Sequence, residues 1–427
     1  MEEFDWNFSE KIEEEEDFKL TPSQQRAYDF FETWIEEVRN DQLKDEIDQT
    51  NNYVLRINGE AGTGKTYLMK HVINKLNDMN ISVAPIAYTG KAASKLMQST
   101  GCPSCTIHKL IYTYDLSTYE FFESSQDEQE AFDNNRVLSV LKCKCLIIDE
   151  YSMLTKEILT DLKKLDKILI FIGDLNQLPP IKEEVISDEE FNDLFDTNVP
   201  VLTLSDPVRQ SEDSPILSLA RDIKNGLTVL KPQSVQSVIT LESVDISSIP
   251  KADIKAFGSE DTIIICYKNK TKHFINKRVR KSLGYNNLLN ENDKIIIMKN
   301  NSDYGVYNGE MYKVLEIGQL KEEYGLKYTT IKINNDYEPY IKVWLNPLID
   351  NNYFYQTTGI NDEMKKEQYF KYKEFVHIAY AYAITCHKAQ GSEWETVYVR
   401  YDDAWKDKKR WLYTAITRAR KHLIIRI

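Results

Sequence analysis

The stretch "VLRINGEAGTGKTYLMKHVINKL", residues 54–76, limits the possible folds more than any other part of the chain. An apolar strand enters a glycine-rich turn, and the turn opens an amphipathic helix. That succession belongs to parallel-sheet α/β units, which hold ligands beyond the carboxyl ends of their strands. Gly59, Gly64, Lys65 and Thr66 complete the pattern G-x-x-x-x-G-K-[ST]. Glycines let backbone N–H groups wrap around phosphates, and the helix N-terminus adds its positive dipole. Lys65 supplies a point charge to the β- and γ-phosphates, and Thr66 offers a hydroxyl to Mg2+. The candidate contacts to a nucleoside triphosphate are Gly59, Glu60, Ala61, Gly62, Thr63, Gly64, Lys65, Thr66 and Tyr67.

Such a loop needs carboxylates opposite it. "KCKCLIIDEYSM" (142–153) is an apolar strand that ends in Asp149 and Glu150. Asp149 stands where a second Mg2+-holding group is required. Glu150 is placed to orient or deprotonate an attacking water. A third apolar strand, "KILIFIGDLNQLPP" (167–180), ends in Asp174 and Gln177. A neutral amide there can read the γ-phosphate, and Asp174 can hold the loop that carries it.

At 427 residues the chain is too long for one core. It holds 67 Asp and Glu against 54 Lys and Arg, a net charge of −13, which does not advertise a nucleic-acid binder. Residues 1–17 contribute −8 of that and read as an acidic tail, leaving room for local basic patches. One is "YKNKTKHFINKRVRK" (267–281), which reads equally as a solvated helix face. No apolar run reaches transmembrane length, and the acidic N-terminus is not a signal peptide. Six cysteines without such a signal suggest a reducing compartment, and the Cys143-x-Cys145 spacing on a strand is wrong for a zinc ribbon.

Strands are expected near 53–57, 82–86, 144–148, 168–172 and 200–204, alternating with helices. A second parallel sheet is expected from strands near 262–266, 376–381, 395–400 and 422–426. Between its halves, residues 293–317 and 327–345 alternate in short segments split by Asn, Asp and Gly, the pattern of a small antiparallel barrel. "LIYTYDLSTYEFFE" (110–123) reads as an aromatic hairpin turning near Asp115–Thr118. The tyrosine-rich stretch 351–374 has no readable period.

With these motifs in order, the chain resembles superfamily 1 helicases of the RecD-like branch, and the compact phage Dda helicases in particular, from Leu20 to the C-terminus. "LTPSQQRAY" (20–28) is similar to the adenine-reading Q motif, with Gln24 as reader. "AYTGKAASKL" (87–96) and "TIHKL" (106–110) resemble motifs that hold single-stranded DNA, which implies Thr89, Lys91, Thr106 and His108 as contacts. "LSDPVRQ" (204–210) implies Arg209 at the γ-phosphate. "AITCHKAQGSEWETVYV" (383–399) resembles the motif joining DNA grip to ATP. It implies Thr385 and His387 on DNA, and Gln390, Gly391 and Glu393 on the nucleotide side. Asn269 and Asn308 are further DNA candidates, although Lys268 stands where relatives often carry threonine. "YTAITRARKHLII" (413–425) implies an arginine finger at Arg418, with Arg420 a surface or packing charge.

The resemblance implies an α/β architecture of two RecA-like doubly wound parallel-sheet motor domains. The expected division is an acidic tail to residue 18 and a first motor domain over 19–205, with a β-hairpin insert near 110–135. The second motor domain is expected over 206–290 and 375–427, with a small SH3-like β-barrel inserted over 291–374. It further implies a monomeric ATP- and Mg2+-dependent helicase moving 5′→3′. Single-stranded, duplex and fork DNA are the implied partners, a single-strand-binding protein is a candidate partner, and no membrane is involved. The expected setting is replication, recombination or repair in a bacterial or phage-infected cytoplasm. The hairpin could split the duplex by stacking on an exposed base pair, or its aromatics could face the protein. Two other classes compete. A phosphate-loop kinase would not need "HKAQGSEW" or "TAITRAR", and a non-catalytic DNA scaffold would not keep Lys65, Thr66, Asp149, Glu150 and Arg418 together.

Overall fold

The computed structural model describes residues 19–43, 53–112, 114–115, 120–121, 136–180, 186–208, 214–227, 233–235, 238–241, 256–301, 303–323, 326–335, 339–345, 348, 374–401 and 407–426. The acidic tail, Arg209, the turn of the expected hairpin and nearly all of 351–374 lie outside the described residues. The chain divides into two compact units, Met1–Glu212 and Asp213–Ile427.

The first unit is built on β1 (Val54–Gly59), β2 (Val83–Ile86), β5 (Cys145–Asp149), β6 (Ile168–Gly173) and β7 (Val201–Leu204), with a separate two-stranded pair, β3 (Tyr114–Asp115) and β4 (Glu120–Phe121). The main sheet runs β2-β5-β6-β1-β7, all parallel. Strands covered on both faces must be apolar along their whole length, which is why "ILIFIG" carries no polar side chain. Alternate residues serve opposite layers. Ile168, Ile170 and Ile172 pack with Phe31 and Ile35 of the Pro22–Leu43 helix and with Leu68, Val72 and Leu76 of the Lys65–Asp78 helix. Leu169 and Phe171 pack on the other side against Ile158, Leu162, Phe191 and Phe195.

In the second unit a six-stranded sheet runs β17 (Ala383–Thr385), β10 (Thr262–Cys266), β18 (Trp394–Arg400), β19 (Ala419–Arg426), β9 (Val238–Leu241) and β8 (Gln233–Val235). Its pairings are parallel except β8 with β9, an edge hairpin that the sequence reading missed. The remaining strands are β11 (Lys294–Ile297), β12 (Met311–Ile317), β13 (Lys321–Glu323), β14 (Leu326–Ile333), β15 (Tyr340–Trp344) and β16 (Val376–Tyr380). They pair β12-β11-β16-β15-β14, and β12 also pairs with β14, so these five form a closed ring with β13 appended.

This corrects one expectation. The strand at 376–381 does not belong to the parallel sheet: Val376–Tyr380 lies between β11 and β15 in the ring. "VHIAYAYAIT" is apolar but for His377 and Thr385, so periodicity hides the break at Ala381 and Tyr382 where the chain leaves the ring and re-enters the parallel sheet as β17. Buried polar contacts join the two sheets. Arg280 donates to both oxygens of Asp293 at 2.8 Å, and Tyr382 donates to the same carboxylate at 2.8 Å. Lys294 reaches the carbonyls of Ser259 and Thr262 at 2.9 and 2.6 Å.

Candidate functional site

Because the first sheet is parallel, its strands deliver their carboxyl ends to one edge. The phosphate loop follows β1, Thr89 follows β2, Asp149 ends β5, the Asp174–Gln177 loop follows β6, and Asp206–Val208 follows β7. In register, Asp149 is beside Ile172 and Asn58 is beside Gly173. Residues 90 or more positions apart in sequence therefore share one rim.

The loop itself is tightly interlocked. Gly64 has φ +73°, and a Cβ there would sit 2.4 Å from Gln24 Nε2. A Cβ on Gly59 would meet Thr63 Oγ1 at 2.6 Å. Lys65 Nζ donates to the carbonyls of Gly59 and Glu60 at 2.8 and 3.1 Å, which folds the lysine over the loop. Gln24 is buried and joins the loop to the start of the first helix: Nε2 donates to Thr63 O at 3.0 Å while Oε1 accepts from Thr21 N at 2.9 Å. Val208 N donates to Gly62 O at 2.8 Å. Ser23 Oγ accepts from the N–H groups of Ser205 and Asp206 at 3.2 Å each, so the segment leading to Arg209 is fastened to both the first helix and the loop.

Asp149 is raised to about 7, first by burial and then by Glu150, while Lys65 pulls it back. Glu150 sits in the left-handed backbone region at φ 54°, strain of the kind stored at functional sites. The next residue anchors it. Tyr151 hydroxyl accepts from Arg56 Nε and Nη2 at 3.3 and 3.2 Å and donates to Asn58 Oδ1. Its ring covers Gly173, where a Cβ would come within 2.8 Å of it. Arg56 is itself buried, lies 4.4 Å over the Phe191 ring, and pairs with Asp188 at 2.7 Å. Burial pushes the Tyr151 hydroxyl up to about 12, so it stays a neutral donor. Arg56, Asn58 and Tyr151 were not found by sequence reading. The one signal was a polar pair, Arg56 and Asn58, on the same face of an otherwise apolar strand.

Beyond β6, Asp174 accepts from Asn176 N and Nδ2 at 3.0 and 3.1 Å, and its carbonyl takes Gln177 N at 3.1 Å. Gln177 is buried, and its Oε1 has no hydrogen-bond donor among the described residues.

In the second unit Arg418 is 3% exposed. Its guanidinium donates to Thr414 O at 3.1 Å, Thr417 Oγ1 at 3.3 Å and Ser392 O at 3.5 Å. All are neutral acceptors, so no carboxylate among the described residues offsets this buried charge. Arg420 is different: it is exposed and pairs with Asp261 at 3.3 Å. Gln390 and Ser392 are buried beside Gly391, whose φ is +73°. Glu393 is half-buried.

The expected DNA contacts fall in two sets. Thr89 Oγ1 caps its helix by accepting from Ala92 N at 3.2 Å, and Thr106 Oγ1 likewise takes Lys109 N at 3.2 Å. Capping uses a lone pair and leaves the O–H free to donate to a phosphate. His108 stands between Tyr88 and Tyr112, with ring centroids at 5.0 and 6.0 Å, and burial lowers its pKa. Lys91 is half-buried on the same helix start. In the second unit, Thr385 ends β17 beside Cys266, and Asn269 opens the next helix. His387 is depressed by burial. Lys388 Nζ donates to Asn308 Oδ1 at 2.5 Å, which ties the ring to this motif and adds Lys388 to the residues the sequence reading passed over.

The cysteines are buried thiols, and burial pushes Cys143 up to about 11. No helix among the described residues is long and apolar enough to cross a membrane.

Comparison with known proteins gives two family matches: an AAA domain over residues 41–241 and a UvrD-like helicase C-terminal domain over 380–425. The chain is 30% identical to the ATP-dependent DNA helicase dda of Enterobacteria phage T4, over 40% of this chain and 37% of that one. It is 24% identical to the ATP-dependent DNA helicase Pif1 of Campylobacter jejuni, over 85% of this chain and 86% of that one. It spans 37% of each of the first two curated relatives it matches. Among solved structures, Bacteroides Pif1 helicase in complex with ADP-AlF3 and ssDNA aligns with a TM-score of 0.54 at 19% identity, covering 96% of this chain and 92% of that one.

Proposed function

We propose that the chain is a Pif1/RecD-like helicase of superfamily 1, an ATP-dependent DNA helicase that couples ATP hydrolysis to movement along single-stranded DNA and to duplex unwinding. The observation that carries this reading is the single rim on which the phosphate loop, Asp149–Glu150 and Gln177 meet.

The residues suit the nucleotide. The loop has backbone where side chains would clash, and the unsatisfied acceptor Gln177 Oε1 suits a donating water. Thr66 and Asp149 offer the hard oxygens Mg2+ prefers, and a buried carboxylate raised toward neutrality suits a cation site. Mg2+, when bound, offsets phosphate charge during transfer. Lys65 leaves its loop carbonyls for the phosphates, and Glu150 orients and deprotonates water. Gln177 reports the γ-phosphate, and Gln24, whose Nε2 also holds the loop at Thr63 O, is assigned to read the adenine. Arg418 and Arg209 are assigned to the transferring phosphate, because a planar guanidinium bonds two phosphate oxygens at once. Arg418's support is its buried charge, surrounded by neutral acceptors. Gln390, Gly391 and Glu393 are assigned to relay nucleotide state to Thr385 and His387.

Thr89, Lys91, Thr106, His108, Asn269, Asn308, Thr385 and His387 are assigned to DNA, mostly to its phosphates, since a motor must step on any sequence. The ring β12-β11-β16-β15-β14 is read as the SH3-like insert, and the β3–β4 pair as the base of the strand-separating hairpin.

The test is ATP hydrolysis with and without a single-stranded oligonucleotide. DNA should stimulate turnover severalfold or more. Lys65→Ala should abolish it, and Glu150→Gln should retain ATP binding while slowing turnover on the order of 10²-fold, the scale of losing a general base. Hydrolysis indifferent to DNA would point to a different phosphate-loop enzyme, and near-normal turnover in Glu150→Gln would move the base elsewhere.

A further inference from the structure

The helix Asn269–Ser282 has two unlike faces. It buries Ile275, Asn276, Val279 and Arg280. Lys270, Phe274, Lys277 and Lys281 are exposed on the opposite side, at the i, i+4, i+7 and i+11 spacing of one stripe. Phe274 is 54% exposed, and Arg278 lies 5.4 Å over its ring. Residues 267–282 hold seven Lys and Arg and no Asp or Glu, in a chain of net charge −13. Arg280 is committed to Asp293, and Lys272 is partly buried with its pKa lowered by that burial. Among the described residues no carboxylate is in ion-pair contact with Lys270, Lys277 or Lys281.

A solvated lysine face explains the charge but not a large apolar ring at its centre. Cations around an exposed aromatic with a stacked guanidinium are what a single strand requires: the cations follow phosphates, and the ring and guanidinium plane take a base. The stripe is about 16 Å long, from 11 residues at the helical rise. It begins where β10 ends, and Cys266 there is paired with Thr385. The stripe thus starts next to Asn269, on the helix that follows the strand paired with Thr385.

We propose that this outer face is an additional single-stranded DNA platform. On it Lys270, Lys277 and Lys281 hold phosphates outside the track, and Phe274 with Arg278 stacks a base. The inference rests on the DNA-motor reading above.

The test uses the full chain and oligothymidylates of increasing length, with affinity measured across a salt series. For the unaltered protein, affinity should keep rising with length beyond the track. In Lys270→Ala/Lys277→Ala/Lys281→Ala it should stop rising at a shorter length. The slope of log K against log salt on the long oligonucleotide should fall by about 2, from three single-strand phosphates at ~0.7 each. Phe274→Ala should weaken the long oligonucleotide about tenfold with the slope unchanged. Both variants should keep the short-oligonucleotide affinity and the ATPase stimulation it gives.

Long-oligonucleotide affinity and slope equal to the unaltered protein would overturn the proposal and leave a solvated face. So would unchanged DNA binding in the triple variant together with loss of binding to a peptide of residues 1–17, because the face would then serve an acidic polypeptide. If no oligonucleotide of any length binds or stimulates the unaltered protein, the motor reading itself fails, and the platform with it.

Discussion

Arg418 and Arg420 are two positions apart, and their surroundings differ as the proposed roles require. Arg420 is exposed and already paired with Asp261. Arg418 is buried among carbonyl and hydroxyl oxygens, and a buried guanidinium without a carboxylate is costly unless an anion arrives to share its charge. An arginine that meets charge developing in a transition state changes kcat more than ground-state binding. Arg418→Ala should therefore lower kcat for ATP on the order of 10³-fold, with a much smaller change in nucleotide affinity. Arg418→Lys should not restore it, since the planar fork is lost. Arg420→Ala should be nearly silent. Steady-state kinetics beside a nucleotide-binding titration decide this, and reversed effects would undo the alignment of the last motif.

Tyr151 is expected to act as a positioning residue. Its hydroxyl is the node between Arg56 and Asn58, immediately after the strained Glu150. Tyr151→Phe keeps the ring over Gly173 but leaves Arg56 and Asn58 short of a partner. Turnover should fall about tenfold, and ATP affinity should hold. A lower melting temperature with unchanged kcat would show a purely structural role. Arg418 was singled out from the sequence because a motif carries it. Arg56 and Tyr151 were not, because their partners Asp188 and Asn58 lie 132 and 93 positions away and no local pattern links them.

At the scale of elements, the sequence was readable wherever one strand had one environment. β5 and β6 are apolar runs ending in acid or glycine, and β1 is one but for Arg56 and Asn58, so their ends could be read from the sequence. "VHIAYAYAIT" defeated the same reasoning because both of its destinations, ring and parallel sheet, want apolar residues. The device that fixes the switch is a side chain remote in sequence. Asn276 Nδ2 donates to Tyr380 O and Ala383 O at 3.2 and 2.9 Å, and its Oδ1 takes Ala383 N at 2.8 Å. It thus stands in for the ladder that the break at Ala381 and Tyr382 interrupts. Asn276→Leu keeps the volume but orphans one N–H and two carbonyls in a buried place. It should cost about 2–4 kcal/mol, against almost nothing for Lys277→Ala on the exposed face of the same helix. Thermal melting of the two variants side by side gives the comparison. Equal midpoints would mean that the strand switch is held by packing alone.

For the molecule as a whole, superfamily 1 motor motifs serve movement in either direction along DNA, so polarity has to be argued from the additions to the core. Two are relevant. The β3–β4 pair follows directly on the Ile107–Tyr112 helix, which carries His108 and the exposed Tyr112. The ring is tied to the second DNA motif through Lys388 and Asn308. In the proposed reading these additions are those of the 5′→3′ branch, and among the described residues there is no long helical insert of the UvrD-like kind. A motor that alternates its grip between two units pulls the strand past whatever stands on its leading side. With the proposed hairpin there, the tracked strand would pass and its complement would be excluded. The expected outcome is ATP-dependent opening of a duplex with a 5′ single-stranded tail, while a duplex with only a 3′ tail stays closed. Replacing Thr113–Tyr119 with a short glycine turn should leave DNA-stimulated hydrolysis in place and remove strand separation. Strand-displacement assays on the two substrates, run beside phosphate release, read both effects. Efficient opening of the 3′-tailed duplex alone would reverse the polarity and leave the nucleotide chemistry intact. Unwinding that survives the truncation would free the hairpin from the role of pin, and the aromatics at its base would then be packing residues.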